Sequence, residues 1–162
     1  MNPNKCIFGA LLGILLGNVV SRRGIEANPD KIQVVMDMKP PKNVMDIQKL
    51  TGCMAALSCF IARLGEKGLQ FFKLLKATEK FVWSEEANKA FEDLKKYLTS
   101  PPCLAAPTPG EHMYLYIAAT NRVVSTVIVV EHEEEGHAYP VQRPVYYISE
   151  VLIESKIRYP HV

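Results

Sequence analysis

The chain has 162 residues, 48% hydrophobic and 22% charged, the balance of one globular domain or two small ones rather than a disordered tail. A domain near this length buries roughly 68–70% of its unfolded surface, which excludes scaffolds that need disulfides or a structural metal to fold. The 19 Lys and Arg against 17 Asp and Glu give only +2, which excludes a grip on nucleic acid by bulk charge alone. The charge is nonetheless uneven, with 15 basic and 10 acidic residues in 1–110 against 4 and 7 in 111–162, so a polyanion should meet the first part.

Cys6, Cys53, Cys59 and Cys103 contain no CxxC pair, which favours a reducing compartment. His132 and His137, five apart beside three glutamates, read as a solvated loop rather than a zinc site, and no metal is expected.

Cys6 to Val20, CIFGALLGILLGNVV, has the length of a signal-peptide hydrophobic region, flanked by Lys5 and by Ser21-Arg22-Arg23. It is too short to cross a bilayer as a helix, and Gly9, Gly13 and Gly17 suit close turns between short strands, so a buried strand pair is the reading adopted and no membrane is expected. After Asn28-Pro29-Asp30, Lys31 to Met38 predicts two helical turns, broken by Pro40-Pro41. Asn43 then reads as the N-cap of a longer helix whose stripe runs Val44, Ile47, Leu50, Met54, Leu57, Ile61 and Leu64, ended by Gly65 and Gly68. A brief second helix holds Leu69, Phe72 and Leu75 among Lys67, Lys73, Lys76 and Lys80. Ser84 caps a third, with Ala87, Ala90, Phe91, Leu94 and Leu98 buried, Lys95 and Lys96 in the last turns, and Pro101-Pro102 closing it. Lysines on amphipathic helices are usually just solvated, and Trp83 reads as core rather than a base-stacking platform.

From Met113 the period changes to that of strands: MYLYIAA, then Val123 to Val130, then Pro144 to Ile148. Glu133-Glu134-Glu135 lies in a polar loop between the last two and reads as a solvated hairpin turn. No helix follows to cover this sheet, so its apolar strands are an aggregation liability and a severed domain is expected.

Arg22 to Ile32, Pro40 to Gly52, Phe60 to Leu69, Leu74 to Pro107 and Pro144 to Pro160 together resemble the pol polyprotein of plant gypsy-type LTR retrotransposons, over essentially the whole chain. The resemblance implies an α+β fold: residues 1–38 as a short strand pair ending a reverse transcriptase palm, 39–110 as thumb and connection helices, and 111–162 as a truncated three-stranded antiparallel RNase H-like sheet. It also implies what is missing. Polymerase chemistry needs carboxylates holding two divalent ions, and the YxDD-type motif that supplies them in the family is not in this sequence. RNase H chemistry needs a similar cluster, magnesium being the family's ion, and Ala118 stands where the family pattern carries the first Asp. No catalytic residue and no cofactor are therefore expected.

Further departures are Leu11, Leu12 and Ile14 where relatives have a polar or proline-containing turn and a lysine, Cys59 in place of an arginine, and Gln70 in place of a proline. Met1 falls where the family continues, which implies a start inside an older reading frame. The resemblance makes Arg63, Lys67, Lys73 and Lys76 the candidate phosphate contacts, with an RNA–DNA or DNA duplex, or the remainder of the polyprotein, as partner. Two rivals remain: a nuclease that substitutes Glu131, Glu133 or Glu150 for the absent Asp, and a domesticated module that binds protein through its sheet edge or helices.

Overall fold

The computed structural model describes residues 9–76, 81–152 and 156. Cys6, Lys80 and the end of the stretch from Pro144 to Pro160 fall outside them.

The first element is a ribbon of β1 (Leu12–Leu15), β2 (Asn18–Ser21) and β3 (Gly24–Glu26), antiparallel in chain order. Leu16 and Gly17 both have positive φ, the backbone a two-residue hairpin needs to match strand twist. The ribbon corrects the expected buried pair twice. It has a third strand, and its apolar residues face outward on both sides: Leu12 is 62% and Ile14 66% exposed, and Leu15 is as open as Leu12. Strands of three and four residues with no described element packed over β1 cannot bury both faces. The ribbon is fastened through β3, where Ile25 and Leu104 exchange two backbone hydrogen bonds of 2.8 Å. Gly24 makes that approach possible: its φ is +129° and an added Cβ would lie 2.2 Å from the Leu104 carbonyl oxygen.

The helices are α1 (Pro29–Met36), α2 (Val44–Ala56), α3 (Leu64–Lys67), α4 (Leu69–Lys76) and α5 (Glu85–Leu98), with a 3₁₀ turn at Ser58–Phe60. Asn28, Asn43 and Ser84 cap α1, α2 and α5 by accepting the amides of Asp30, Asp46 and Ala87. The continuous stripe read from Val44 to Leu64 is instead broken at Leu57. The side chain of Tyr97 on α5 replaces the missing helical bonds, its hydroxyl donating to the Phe60 carbonyl (3.0 Å) and accepting the Ala62 amide (3.2 Å). The periodicity survives because Leu57, Phe60, Ile61 and Leu64 all still face the core. That core gathers Val35, Ile47, Leu50, Met54, Phe71, Phe91, Leu94 and Leu98 with them. Trp83 joins it as expected, stacked parallel to Phe71 and edge-on to Phe91.

The second sheet is β4 (Met113–Ala119), β5 (Val123–His132) and β6 (Val141–Val151), antiparallel in the order β4-β5-β6. Its last two strands run longer than read. The sheet is also not bare, because α3 and the 3₁₀ turn, earlier in sequence, pack on β5 and β6. The Gly65 amide donates to Ser149 Oγ (2.9 Å), which shares a hydrogen bond with Ser125 Oγ (2.7 Å). Among the described residues, β4 packs substantially only against β5 and is exposed along its whole length.

Candidate nucleic-acid interface

The four expected phosphate contacts divide into two kinds. Arg63 sits in the left-handed region (φ +56°) and its guanidinium donates to both Glu66 carboxylate oxygens, at 2.6 and 2.7 Å. Lys67 is half-buried, donating to the Ala62 carbonyl at 2.8 Å with its ammonium 4.8 Å from the centre of the Tyr97 ring. Burial pushes its pKa down, the Arg63 charge adds to this, and Glu66 opposes it. Both side chains therefore brace the helix break at residues 57–63. Lys73 and Lys76 differ: three residues apart on α4, they share one exposed face and make no ion pair among the described residues. Lys76 also stands on the rim of a mostly apolar cavity of about 350 Å³ between α3, α4 and the end of β6.

A second basic cluster was not foreseen. Arg22 and Arg23 in the β2–β3 turn face His132 and Arg143 of the second sheet across a cleft of about 440 Å³, walled by Cys103, Ala105 and Ala106. Arg143 is held by Glu134 through two hydrogen bonds of 2.6 Å, which keep the Glu134 carboxyl below the usual carboxylate range. His132 meets Glu111 at 3.1 Å. Arg22 and Arg23 were read as flanks of an apolar run and as the start of the stretch Arg22 to Ile32, not as part of a site. Arg143 lies about 120 residues away, so no local pattern could have joined them.

Ala118 lies on β4 opposite Ser125. The glutamates weighed as substitutes do not gather around it. Glu150 pairs with Val124, one step from Ser125 and so on the other face of the sheet, and it is bound to Lys156. Glu131 lies six residues along β5, ~20 Å away at strand rise, and its carboxylate accepts from Gln142. Glu133 stands beyond it in the hairpin. No three His, Cys, Asp or Glu side chains cluster for a metal among the described residues. A methyl group and scattered glutamates do not fit the two-ion site that RNase H chemistry requires. No helix among the described residues is long and apolar enough to cross a membrane.

Residues 83–162 match the family model of the RNase H-like domain found in reverse transcriptase. The Pol polyprotein of feline endogenous virus ECE1 is 28% identical over 137 residues, 85% of this chain and 12% of that protein. The transposon Tf2-3 polyprotein of Schizosaccharomyces pombe is 25% identical over 159 residues, 98% of this chain and again 12% of the relative. The chain thus spans about an eighth of the length of the relatives it matches. Among solved structures, the foamy viral protease-reverse transcriptase in complex with RNA/DNA hybrid superposes over 91% of this chain and 19% of its own at a TM-score of 0.73 and 14% identity. The same protein in complex with dsDNA covers 93% and 30% at 0.72. The fold is that of a reverse transcriptase and RNase H region. Residues 83–162 thus match the RNase H-like domain found in reverse transcriptase, and most of the chain is similar to retroelement pol polyproteins.

Proposed function

We propose that this chain is a non-catalytic, duplex-contacting part of a plant gypsy-type LTR retroelement pol polyprotein, with 1–38 as the end of the palm, 39–110 as thumb and connection, and 111–162 as the opening of the RNase H-like domain. The plant assignment is supported by the motifs from Arg22 to Ile32, Pro40 to Gly52 and Leu74 to Pro107. The observation that carries the binding role is the pair Lys73 and Lys76, exposed on one face of α4 without an acidic partner among the described residues. The complexes of the foamy viral protein with RNA/DNA hybrid and dsDNA make a nucleic-acid duplex the natural ligand class. Arg63 and Lys67 serve the phosphate surface indirectly, by holding the turn from which α4 springs.

The test is fluorescence anisotropy of a labelled RNA–DNA hybrid across a salt series. Wild type should bind weakly with a salt slope that Lys73→Gln with Lys76→Gln reduces by about 1.8, at about 0.9 per lost phosphate contact. An unchanged slope, or no binding by a folded sample, refutes the assignment. Catalytic silence is tested separately: the hybrid with magnesium should remain uncut, and cleavage that Glu150→Gln or Glu131→Gln abolishes would reinstate the nuclease reading.

A further inference from the structure

The cleft between the ribbon and the second sheet has walls of this chain's own making. Its floor is the segment after α5, in which Leu104 exchanges two backbone hydrogen bonds with Ile25 of β3 while the next residue, Ala105, donates its amide to the Pro144 carbonyl of β6 at 2.7 Å. Two neighbouring residues thus tie both walls together. The first wall is a two-residue turn. Ser21 pairs with Gly24, so Arg22 and Arg23 form the tip of the β2–β3 hairpin. The Arg23 amide donates to Ser21 Oγ at 3.1 Å, and the Cys103 thiol donates to the Arg23 carbonyl at 3.4 Å, which fixes the turn while both arginine side chains stay exposed.

The charges around the cleft do not cancel. Glu134 is the one carboxylate among the lining residues, against three guanidiniums. It takes hydrogens from Nε and Nη2 of Arg143, which holds that side chain in place and leaves Nη1 unengaged among the described residues. Arg23 stands 3.8 Å from Glu26, beyond hydrogen-bond reach, and Arg22 makes no ion pair among the described residues. His132 adds nothing to this count, because its Nε2 is taken by Glu111, which Thr108 also holds. The Cys103 thiol reports on both walls at once: burial and then Glu26 raise its pKa, while Arg23 and Arg143 both pull it down.

We propose that this cleft holds a phosphate group between Arg22 and Arg23 on one wall and Arg143 on the other. Cations on opposite walls call for an anion whose oxygens diverge. A tetrahedral phosphate supplies them, whereas the two coplanar oxygens of a carboxylate are matched by a single guanidinium fork, as Glu134 already is. Gly24, Ala105 and Ala106 send no long side chain into the space, and its volume of about 440 Å³ falls within the roughly 300–1,000 Å³ of ordinary ligand pockets, so the phosphate has room for an attached group. The site is separate from the lysines of α4 and does not depend on their role. Its ligand is either a free phosphate-bearing molecule or the backbone of a nucleic-acid strand, and the two are told apart by experiment.

The test is an NMR titration of the full chain with inorganic phosphate and, in parallel, a short oligothymidylate, each matched to sodium chloride at equal ionic strength. The amide signals of Arg23 and Ala106 should shift and saturate. Arg22→Gln should weaken binding at least about tenfold, the loss of one charge-assisted hydrogen bond. Arg143→Gln combined with Glu134→Gln should do the same, although it leaves the net charge unchanged and strands no carboxylate. Arg122→Gln, which removes one charge outside the cleft, should bind as wild type does, and so should Lys73→Gln with Lys76→Gln. An oligothymidylate that saturates these amides at lower concentration than phosphate makes the ligand a nucleic-acid backbone; phosphate alone moving them makes it a free phosphate-bearing molecule. Amides that shift no further with either probe than with sodium chloride overturn the proposal. So does wild-type binding by Arg22→Gln or by the Arg143 and Glu134 pair variant, or an equal loss in Arg122→Gln or in the α4 variant.

Discussion

Replacing Gly65 by alanine tests the seam between the helical core and the second sheet. Gly65 is buried where α3 meets β5 and β6, and its φ is not in the left-handed region, so the substitution adds volume without backbone strain. The new Cβ would lie 2.9 Å from both Ser149 Oγ and Val123 Cγ1, and 3.3 Å from the Glu150 carbonyl carbon. Carbon atoms pack best at roughly 3.5–4.0 Å, so α3 must withdraw by about half an ångström or more, stretching the Gly65 amide bond to Ser149. Overpacking costs about 1–3 kcal/mol and a weakened hydrogen bond about 0.5–1.5 kcal/mol. Relief of glycine's helical entropy returns at most about 1 kcal/mol. The net expectation is a loss of about 1–3 kcal/mol, read as a lower urea midpoint at unchanged slope. Gly52→Ala is the matched control. Gly52 lies in α2 with nothing within 4 Å of its added Cβ, and the same change there should stabilise by about 0.5–1 kcal/mol. If the two variants shift stability with the same sign, the packing argument fails.

Phe91→Ala should cost about 3–5 kcal/mol, since the ring is fully buried, edge-on to Trp83 and beneath the Lys95 ammonium; an unaltered midpoint and tryptophan spectrum would count against this core. The Glu134 carboxyl, lowered chiefly by hydrogen bonds from Arg143, stabilises the hairpin above the unfolded carboxylate pKa and loses that contribution as pH falls through its own lower value. Arg143→Gln should therefore raise the Glu134 midpoint in an NMR titration, and a midpoint indifferent to residue 143 would refute the pairing.

How much was legible in the sequence depended on how local the cause was. Helix α5 could be read almost to the residue because its cap, stripe and closing prolines are all near neighbours. The three strands of the second sheet announced themselves by β-branched and aromatic runs. The break at Leu57 did not, because hydrophobic spacing records which side chains face the core, while the break is made by Tyr97, 35 residues from the Ala62 amide it accepts. The same distance effect hid the candidate site. Four cations near α3 and α4 looked equivalent in sequence, yet Glu66, Ala62 and Tyr97 engage Arg63 and Lys67 and leave Lys73 and Lys76 in solvent. The ribbon was misjudged in burial for a further reason. An apolar run states what a strand prefers to touch, and nothing in Leu11 to Leu15 states whether a neighbour is there to touch it.

The Tyr97 hydroxyl also bears on the order in which the chain acquires its structure. α2 can form from its own cap and stripe, but the Phe60 carbonyl and the Ala62 amide find their partner, the Tyr97 hydroxyl, only when α5 arrives. Closing that loop carries an entropic cost before any contact rewards it. The Ala62 amide is thus a built-in clock. Its protection from hydrogen exchange during refolding should appear together with that of the α5 amides and later than that of α2, dating the moment at which the two ends of the helical core meet.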